Sequence, residues 1–301
     1  MKVRIGFGFG VRTKLNDGGF AEVVDALEAL QFDSLWLSER IGGEAPDPLV
    51  GMAYAAGRTT HLKFGMSVMV LPGRNPVVLA KELATLDRMS GGRLLPAFGL
   101  GVADPHEQQA FGVERAGRAK LFDEAIAVLR GCWAEGALTH HGEHFHYDGL
   151  EVRPKPRQHH VDIWLGGIAP SELRRVGRLA DGWLPSFVTP DDAARGREVI
   201  EATAAEHDRR IDPEHFGALI PYAQAPLPDA VVAGLAKRRP DLDDPTVLVP
   251  QGWDALIDTI DRFVAAGTSK FVVLPIVEPA TPDAWVRHLE AAAPIVLARQ
   301  T

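Results

Sequence analysis

Acidic and basic side chains follow two short apolar runs of the sequence, at positions where chemistry is possible. Ser38, Glu39 and Arg40 come directly after one run, and Glu107 comes a few residues after another. A glutamate carboxyl can exchange a proton with a substrate, whereas an arginine guanidinium keeps its charge and binds anionic groups. In a parallel α/β barrel, the loops after the strands carry the active site. These positions therefore predict the proton-transferring and anion-binding groups of an enzyme.

Glycines at other strand ends could bring backbone amides to a ligand. Gly166 and Gly167 follow an apolar run and precede Pro170, a residue that suits the first position of a helix. A glycine turn before a helix leaves backbone N–H groups free, here those of Ile168 and Ala169, and such a group of donors suits a phosphate. The remaining candidates at strand ends are Ser67, Val68, Gly99, Gly101 and Trp183.

Three other patterns lack the spacing that their best-known chemistry needs. The run GFGFG at Gly6–Gly10 has no third glycine where a dinucleotide-binding turn requires one. The four histidines between 140 and 146 fit neither H-E-x-x-H nor H-x-x-E-H and are typical of a hairpin with a glycine turn. A metal-dependent barrel hydrolase that uses the histidines of 140–160 is the alternative from another class of function. Cys132, in a helical pattern beside Trp133, is predicted to be a buried structural thiol.

Apolar runs of strand type alternate with helical periodicity along the chain. The first run is Val3 to Phe9, and a helical pattern follows from Phe20 to Leu30. The helix predicted over 76–89 has its own signals, with Asn75 as the cap and Gly91 just past the end. The other predicted strands are 34–37, 64–71, 93–98, 161–165, 182–184, 216–221 and 271–275, and the other predicted helices are 47–58, 107–134, 170–180, 190–209, 228–239, 253–266 and 282–299.

Eight apolar strands separated by helices predict a parallel sheet covered by helices. Eight such units in 301 residues favour a (β/α)8 TIM barrel over an open doubly wound sheet, which normally has fewer strands and a glycine-rich first turn. The segment from 135 to 160 is rich in Gly, His and Pro, and is predicted to be an insertion between the fourth helix and the fifth strand. No linker divides the chain, so residues 1–301 are interpreted as one domain.

The composition excludes several classes of protein. A formal charge of −8 provides no general basic field for nucleic acid or an anionic membrane surface. No run of 18 apolar residues occurs, and the alternating N-terminus does not resemble an export signal. A single cysteine excludes an internal disulfide and fits a reducing compartment, so a cytoplasmic location is expected.

Several longer stretches of the sequence occur in an order and spacing that are typical of one protein family. They are SLWLSER, FGMSVMVLPGRNPVVLAKELATLDRMSGGR, FGLG, LRGCWAEG, VRPKPRQ, IWLGG and LADGW. On these residues the chain resembles the luciferase-like monooxygenase superfamily, and particularly its bacterial members that use the deazaflavin coenzyme F420. The resemblance is dense over about residues 1–190 and thin beyond them. It implies a (β/α)8 barrel, a flavin-type cofactor across the barrel mouth, hydride transfer to or from a small-molecule substrate and, by analogy, a homodimer.

The resemblance also assigns roles to particular residues. Ser67 and Val68 match the position of a non-prolyl cis peptide that forms a bulge behind the cofactor ring. Gly166 and Gly167, with the amides of Ile168 and Ala169, match the phosphate-binding turn. Glu39 matches an acid near the substrate side of the ring, and Glu107 is the acid of the loop after the fourth strand. The cofactor site implied by the resemblance further includes Ser38, Arg40, Gly99, Gly101 and Trp183.

One position departs from the family pattern, and two alternatives stay open. Arg40 stands where related dehydrogenases often carry a histidine, and its fixed charge suits the binding of anionic groups better than proton exchange.

The basic run from Arg153 to Arg157 is a candidate site for the acidic tail of coenzyme F420. An FMN-dependent monooxygenase is the alternative within the family, and a cofactor carrier without catalysis is a further one.

Overall fold

Strands and helices alternate along residues 1–15 and 18–301, which are the residues that the computed structural model describes. The strands are β1 (Arg4–Phe9), β2 (Ser34–Leu37), β3 (Lys63–Met66), β4 (Met69–Val70), β5 (Leu94–Leu95), β6 (Ala97–Gly99), β7 (Leu138–His141), β8 (His146–Leu150), β9 (Trp164–Leu165), β10 (Gly182–Trp183), β11 (Gly217–Tyr222) and β12 (Lys270–Pro275). The α-helices are α1 (Gly19–Ala29), α2 (Pro48–Arg58), α3 (Pro76–Ser90), α4 (Pro105–Phe111), α5 (Arg118–Trp133), α6 (Pro170–Leu179), α7 (Pro190–Glu206), α8 (Asp229–Arg238), α9 (Trp253–Ala265) and α10 (Pro282–Val296). Two 3₁₀ helices cover Pro245–Leu248 and Leu297–Arg299.

The parallel strands close into a ring with eight positions. One sheet has the order β11-β12-β1-β2-β3-β5, and a second has the order β10-β9-β6-β4. β3 and β4 together supply the third position of the ring, and β5 and β6 supply the fourth. Parallel bridges from Trp183 to Phe216 and from Ser186 to Leu219 join the second sheet back to β11. The fold is therefore the predicted (β/α)8 barrel.

Buried side chains lie both inside and outside the ring. A large cluster fills the space between strands and helices, as expected for strands that are apolar on both faces. A smaller cluster contains Trp36, Trp164 and Val272, and the half-buried Val68 and Leu274 pack on it. Because Val68 and Leu274 also line the cavity at the barrel mouth, the smaller cluster is the floor on which the candidate site rests.

The insertion between α5 and β9 contains an antiparallel hairpin of β7 and β8, in which His141 pairs with His146. The Glu124 carboxylate of α5 accepts hydrogen bonds from the amides of His144 and Phe145, which holds the hairpin tip on the helix. The prediction of a hairpin insertion at this place is confirmed. In the part of the chain that the structure describes, no helix is both long enough and apolar enough to cross a bilayer.

Three predicted elements are divided in the structure. The strand predicted over 93–98 becomes β5 and β6, which lie on either side of Pro96. The strand predicted over 64–71 is broken at Ser67–Val68, where the peptide bond is cis. On either side of the break the partners change, since β3 pairs with β2 and β5 whereas β4 pairs with β6. The helix predicted over 107–134 ends at Gly112 and begins again after Gly117; both glycines have positive φ, 64° and 85°. A left-handed residue ends a helix, and the apolar periodicity alone did not show these interruptions.

Candidate functional site

A cavity of about 760 Å³ opens at the carboxyl ends of the barrel strands. Its size is within the range of cofactor and small-molecule sites. The structure brings most of the predicted site residues together in its wall. They are Ser38, Glu39, Arg40, Ser67, Val68, Gly99, Gly101, Glu107, Gly166 and Gly167. Ile168, Ala169 and Trp183 are the predicted site residues that do not line it.

The bulge at Ser67–Val68 faces the cavity. Its peptide bond is cis, as the resemblance predicts. Gly99 on the neighbouring strand makes room for it, since a Cβ added at Gly99 would lie 2.5 Å from Cγ2 of Val68. The hydroxyl of Ser67 is buried and makes no hydrogen bond to any described residue. A buried polar atom without a partner in a cavity wall indicates a place where a ligand can supply the missing hydrogen bond.

The turn between β9 and α6 aims two amides at one point. Gly167 has a φ of 93°, which other residues rarely adopt. The N–H groups of Ile168 and Ala169 both donate to the same oxygen, Oε2 of Glu172, at 3.0 Å each. One acceptor that satisfies two amides at a helix N-terminus shows the geometry that an anionic oxygen needs.

Trp183 supports this turn from behind. Its indole N–H donates to the carbonyl of Gly167 at 2.9 Å, and the side chain is only 2% exposed. Gly196 of α7 lies against the indole, since a Cβ added there would be 2.4 Å from the ring. The structure therefore places Trp183 in the packing between β10 and α7 rather than in the cavity wall.

Glu39 lines the cavity, and both of its carboxylate oxygens are bonded to other groups of the protein. Arg74 pairs with Oε1, and the Val70 amide donates to Oε2 at 2.7 Å. The side chain is 4% exposed. Burial raises the pKa of Glu39 above its ordinary value, and the Arg74 guanidinium and the Val70 amide oppose that shift. The arrangement holds the loops after β2 and β4 together and leaves no free carboxylate oxygen on Glu39.

Arg40 and Glu107 form a charged group on the other side of the mouth. Arg40 donates to Asp104 at 3.2 Å, and its Nε lies 3.8 Å from Glu107 Oε1. The Gly42 amide donates to the same oxygen of Glu107 at 3.3 Å. Asp104 also caps α4 and accepts from two of its amides, which lower the pKa of that carboxyl. Arg40 therefore has acidic partners within the protein.

Glu278 is a cavity residue that the sequence analysis missed. It lies in the loop after β12, the eighth strand of the ring, and it lines the cavity with Arg12. The Thr13 hydroxyl donates to Glu278 Oε1 at 2.7 Å. Burial raises the pKa of Glu278, while the hydrogen bond from Thr13 and the charge of Arg12 oppose the shift. The rule used for Glu39, a polar residue just after a strand, would have found it. The helix α8, with Val231 facing the cavity, was also not foreseen as part of the wall.

The basic run from Arg153 to Arg157 does not belong to the cavity. The Arg157 amide donates to Asp87, near the end of α3, and Lys155 donates to the carbonyl of Cys132. The end of α3 leads directly into β5, so this region lies at the amino ends of the strands, opposite the mouth. Arg153 is paired with Glu151 at the surface. The run is therefore too far from the mouth to form a wall of the site.

The histidines of 140–160, on which the alternative of a metal-dependent hydrolase depends, lie away from the cavity. In the hairpin, His140 bonds to Glu124 and His141 bonds to Asp148. Within residues 1–15 and 18–301, the group with metal-ligand geometry is His160, Asp162 and Asp181. These three precede or begin β9 and β10, at the end of the barrel opposite the mouth, and Arg130 and Arg209 already donate to Asp181.

Comparisons with known proteins agree with this geometry. The family model described as luciferase-like monooxygenase matches residues 7–268. A putative coenzyme F420-dependent oxidoreductase of Mycobacterium tuberculosis is 31% identical over 235 residues, which are 74% of this chain and 66% of that protein. The chain thus spans slightly less than two thirds of that relative, and about half of the length of other curated relatives.

Solved structures share the whole architecture. A monooxygenase from Streptomyces bottropensis has a TM-score of 0.80 at 21% identity, covering 98% of this chain and 99% of that one. An F420-dependent secondary alcohol dehydrogenase, in complex with an F420–acetone adduct, also has a TM-score of 0.80 at 21% identity, with both chains covered completely. At this level of identity the likeness shows a common fold.

Proposed function

This chain belongs to the luciferase-like monooxygenase family, a family of oxidoreductases, and from that premise we propose that it transfers a hydride between coenzyme F420 and a small organic substrate. The observation that carries the proposal is that one cavity contains both the Ser67–Val68 bulge and the turn at Gly166–Gly167. The F420-dependent relative that matches 74% of the chain supports the choice of carrier.

The residues present fit a phosphorylated planar carrier. The turn after β9 offers two converging amides for a phosphate, where Glu172 is now the acceptor. The bulge offers the Val68 side chain and the unpartnered Ser67 hydroxyl to a ring. Four arginines and four glutamates line the cavity, so its wall is formally neutral, whereas the chain as a whole carries a charge of −8. An anionic ligand therefore meets less repulsion there than elsewhere on the protein.

When bound, a reduced deazaflavin supplies a hydride, and the protein aligns donor and acceptor. We assign Ser67 and Val68 to the support of the ring, and Gly166 and Gly167 with the amides of Ile168 and Ala169 to the phosphate. Ser38, Gly99, Gly101 and Arg40 complete the wall around the carrier. Trp183 supports the phosphate turn through its bond to Gly167. Glu39 and Glu107 hold the loops of the mouth through their own ion pairs.

Titration of the protein into coenzyme F420, and separately into FMN, tests this function through quenching of each cofactor's fluorescence. We expect saturable binding of F420. The variant Gly167→Ala should weaken that binding about tenfold or more, which corresponds to at least about 1.4 kcal/mol, because alanine resists a φ of 93° and the amides lose their common point. Gly149→Ala is the matched control, since Gly149 also has a positive φ but lies in the hairpin, with open space around its added Cβ.

Tighter binding of FMN than of F420 would favour the monooxygenase alternative. Binding of neither cofactor would contradict the proposed function altogether. Equal effects of Gly167→Ala and Gly149→Ala on binding would remove the assignment of the turn as the phosphate site.

A further inference from the structure

Glu278 lines the cavity, and one of its two carboxyl oxygens has a hydrogen-bond partner among the described residues. Thr13, whose side chain is fully buried, donates its hydroxyl to Oε1 of Glu278 at 2.7 Å. The Oε2 atom makes no hydrogen bond to any described residue. Gly10 on the neighbouring loop leaves room for the carboxyl, since a Cβ added at Gly10 would lie 3.0 Å from Oε1. The carboxyl is thus fixed through one oxygen while the other stays available to a ligand.

The three other carboxyl groups in the described wall of the cavity are occupied by stronger donors. Glu39 is held by Arg74 and the Val70 amide, Glu107 by Arg40 and the Gly42 amide, and Glu172 by the amides of Ile168 and Ala169. Cationic and multiple amide donors stabilise a carboxylate in its ionised form. Glu278 receives one hydrogen bond from the described residues, and its donor is a neutral hydroxyl. Burial also raises the pKa of Glu39, but both oxygens of Glu39 are bonded, so among these carboxyls Glu278 is the one that can present a proton to a ligand.

Among the described residues, one charged side chain acts on Glu278. Arg12, from the loop after β1, is the cation that acts on it. The other cations of the wall have partners of their own: Arg40 pairs with Asp104, Arg175 pairs with Asp123, and Arg238 lies over the Phe187 ring. Burial penalises the ionised carboxylate more than Thr13 and Arg12 stabilise it, so the pKa of Glu278 is raised above the ordinary value.

We propose that Glu278, positioned by Thr13, donates the proton that a small apolar aldehyde or ketone needs when its carbonyl carbon accepts a hydride. The inference rests on the proposed function. A protonated carboxyl offers one hydrogen bond to a neutral acceptor such as a carbonyl oxygen. Arg12 and Thr13 act on Glu278. The other cavity residues of the chain segment that carries Glu278 are apolar, among them Leu274 and Ile276, and Val68 also lines the cavity.

The step is balanced as a two-electron reduction. The carbonyl carbon gains the hydride, the π bond of the carbonyl breaks, and its oxygen takes the proton from Oε2 of Glu278. The substrate becomes an alcohol, and the carrier is oxidised by two electrons. Glu278 is left as a carboxylate, which recovers a proton from solvent through the open mouth.

The first test uses the protein without cofactor. In protein labelled with ¹³C at the glutamate carboxyls, an NMR titration should show a group that titrates above about pH 4.3, the ordinary value for glutamate, and that disappears in Glu278→Gln. Thr13→Val should move this titration to higher pH, because it removes a hydrogen bond that stabilises the carboxylate. Glu143→Gln, a substitution of an exposed residue paired with Lys120, should leave the signal in place. A Glu278 signal that titrates at or below the ordinary value overturns the inference.

The second test measures single-turnover oxidation of reduced F420 by acetone, cyclohexanone and short aldehydes. Glu278→Gln should lower the rate about a hundredfold or more, the usual range for loss of a proton donor, without changing the dissociation constant of F420. Thr13→Val should shift the pH profile of the rate upward, and Glu143→Gln should behave as the wild type.

The outcomes separate the two hypotheses. If the wild type binds F420 but Glu278→Gln reacts as fast, the role of Glu278 is wrong and the proposed function stands. If the wild type binds F420 but reduces none of the carbonyl probes, the substrate class is wrong and the inference fails with it. If the wild type binds neither F420 nor FMN, the proposed function itself fails, and the proton donation with it.

Discussion

Arg74 makes a buried carboxylate at Glu39 tolerable. The two side chains are 24% and 4% exposed, and the guanidinium is the cation paired with Glu39. Substitution Arg74→Met keeps an unbranched apolar stem and removes the guanidinium, so Glu39 is left buried without its counterion. We expect a loss of about 3 kcal/mol in the free energy of unfolding, the size that breaking a buried ion pair has. Urea unfolding at pH 7 measures it.

The pH dependence of this loss identifies its origin. Without Arg74, the pKa of Glu39 in the folded protein rises further above its value in the unfolded chain, so the folded state binds more protons between the two values. The penalty should therefore shrink as the pH falls from 8 to 5. Arg58→Met is the control, because Arg58 and Asp25 form an exposed pair and should give a much smaller change. A penalty that does not vary with pH would show that lost packing, and not the charge of Glu39, is responsible.

For single residues, the sequence predicts where a side chain lies in the barrel better than it predicts which groups that side chain bonds to. The rule that polar residues follow strands placed Ser38, Glu39 and Arg40 at the mouth, and the structure has them there. It could not show that Glu39 pairs with Arg74, because that contact joins loops 35 residues apart. Glu278 obeys the same rule but lies beyond the stretches that resemble the family.

At the scale of one element, the Glu172 carboxylate and a bound phosphate would compete for the same two amides at the start of α6. Glu172 accepts from the amides of Ile168 and Ala169, and removing a cap of this kind costs about 1 kcal/mol. In the variant Glu172→Ala we expect a lower melting temperature in chloride and a larger stabilisation by inorganic phosphate than in the wild type. Phosphate at ten times its dissociation constant would return about 1.4 kcal/mol. Thermal unfolding in the two salts at equal ionic strength measures the difference.

A second capped helix is the control for this effect. Thr281 caps α10 through the Ala284 amide, away from the turn after β9, and Thr281→Ala should cost a similar stability. It should gain nothing from phosphate beyond the wild type. If both variants respond equally to phosphate, the ion acts generally on the folded protein and the turn is not its site.

Elements with their own local signals were predicted most accurately. The Asn75 side chain accepts from the amides of Val77 and Val78, and Gly91 ends α3 with a φ of 79°, as expected. The signals for the break between α4 and α5 were also in the sequence, at Gly112 and Gly117, but a glycine inside an apolar period can equally stay helical. The basic run at 153–157 shows a further limit, since its composition did not indicate at which end of the barrel it lies.

At the scale of the whole molecule, a charged cluster at the amino end joins the first and last strands. Asp33, just before β2, accepts from Lys270 of β12 at 2.7 Å and from Lys63 of β3 at 2.9 Å. Arg4 of β1 is 3.7 Å away from the same carboxylate. The side chains of Asp33 and Lys270 are 7% and 8% exposed. One carboxylate thus neutralises cations from three strands that are far apart in the chain.

Removal of that carboxylate should weaken the barrel as a unit. Asp33→Asn leaves the buried ammonium of Lys270 beside two other cations, and we expect a loss of about 3–5 kcal/mol in the free energy of unfolding. The double variant Asp33→Asn with Lys270→Met removes the unpaired buried charge and should recover part of the loss. An equal or larger loss in the double variant would show that packing at Lys270, and not its charge, determines the stability.

The dependence of stability on pH follows from the same cluster. Burial alone would raise the pKa of Asp33, but Lys270 and Lys63 outweigh it and hold that pKa well below the ordinary value. The folded protein therefore keeps Asp33 ionised at pH values where the unfolded chain takes up a proton. The contribution of Asp33 is complete above the ordinary pKa, about 3.9, and is lost as the pH falls below it. Between pH 7 and pH 3, the difference in stability between wild type and Asp33→Asn should consequently narrow by about 1 kcal/mol, because only the wild type loses this interaction on acidification, and it should narrow further below pH 3.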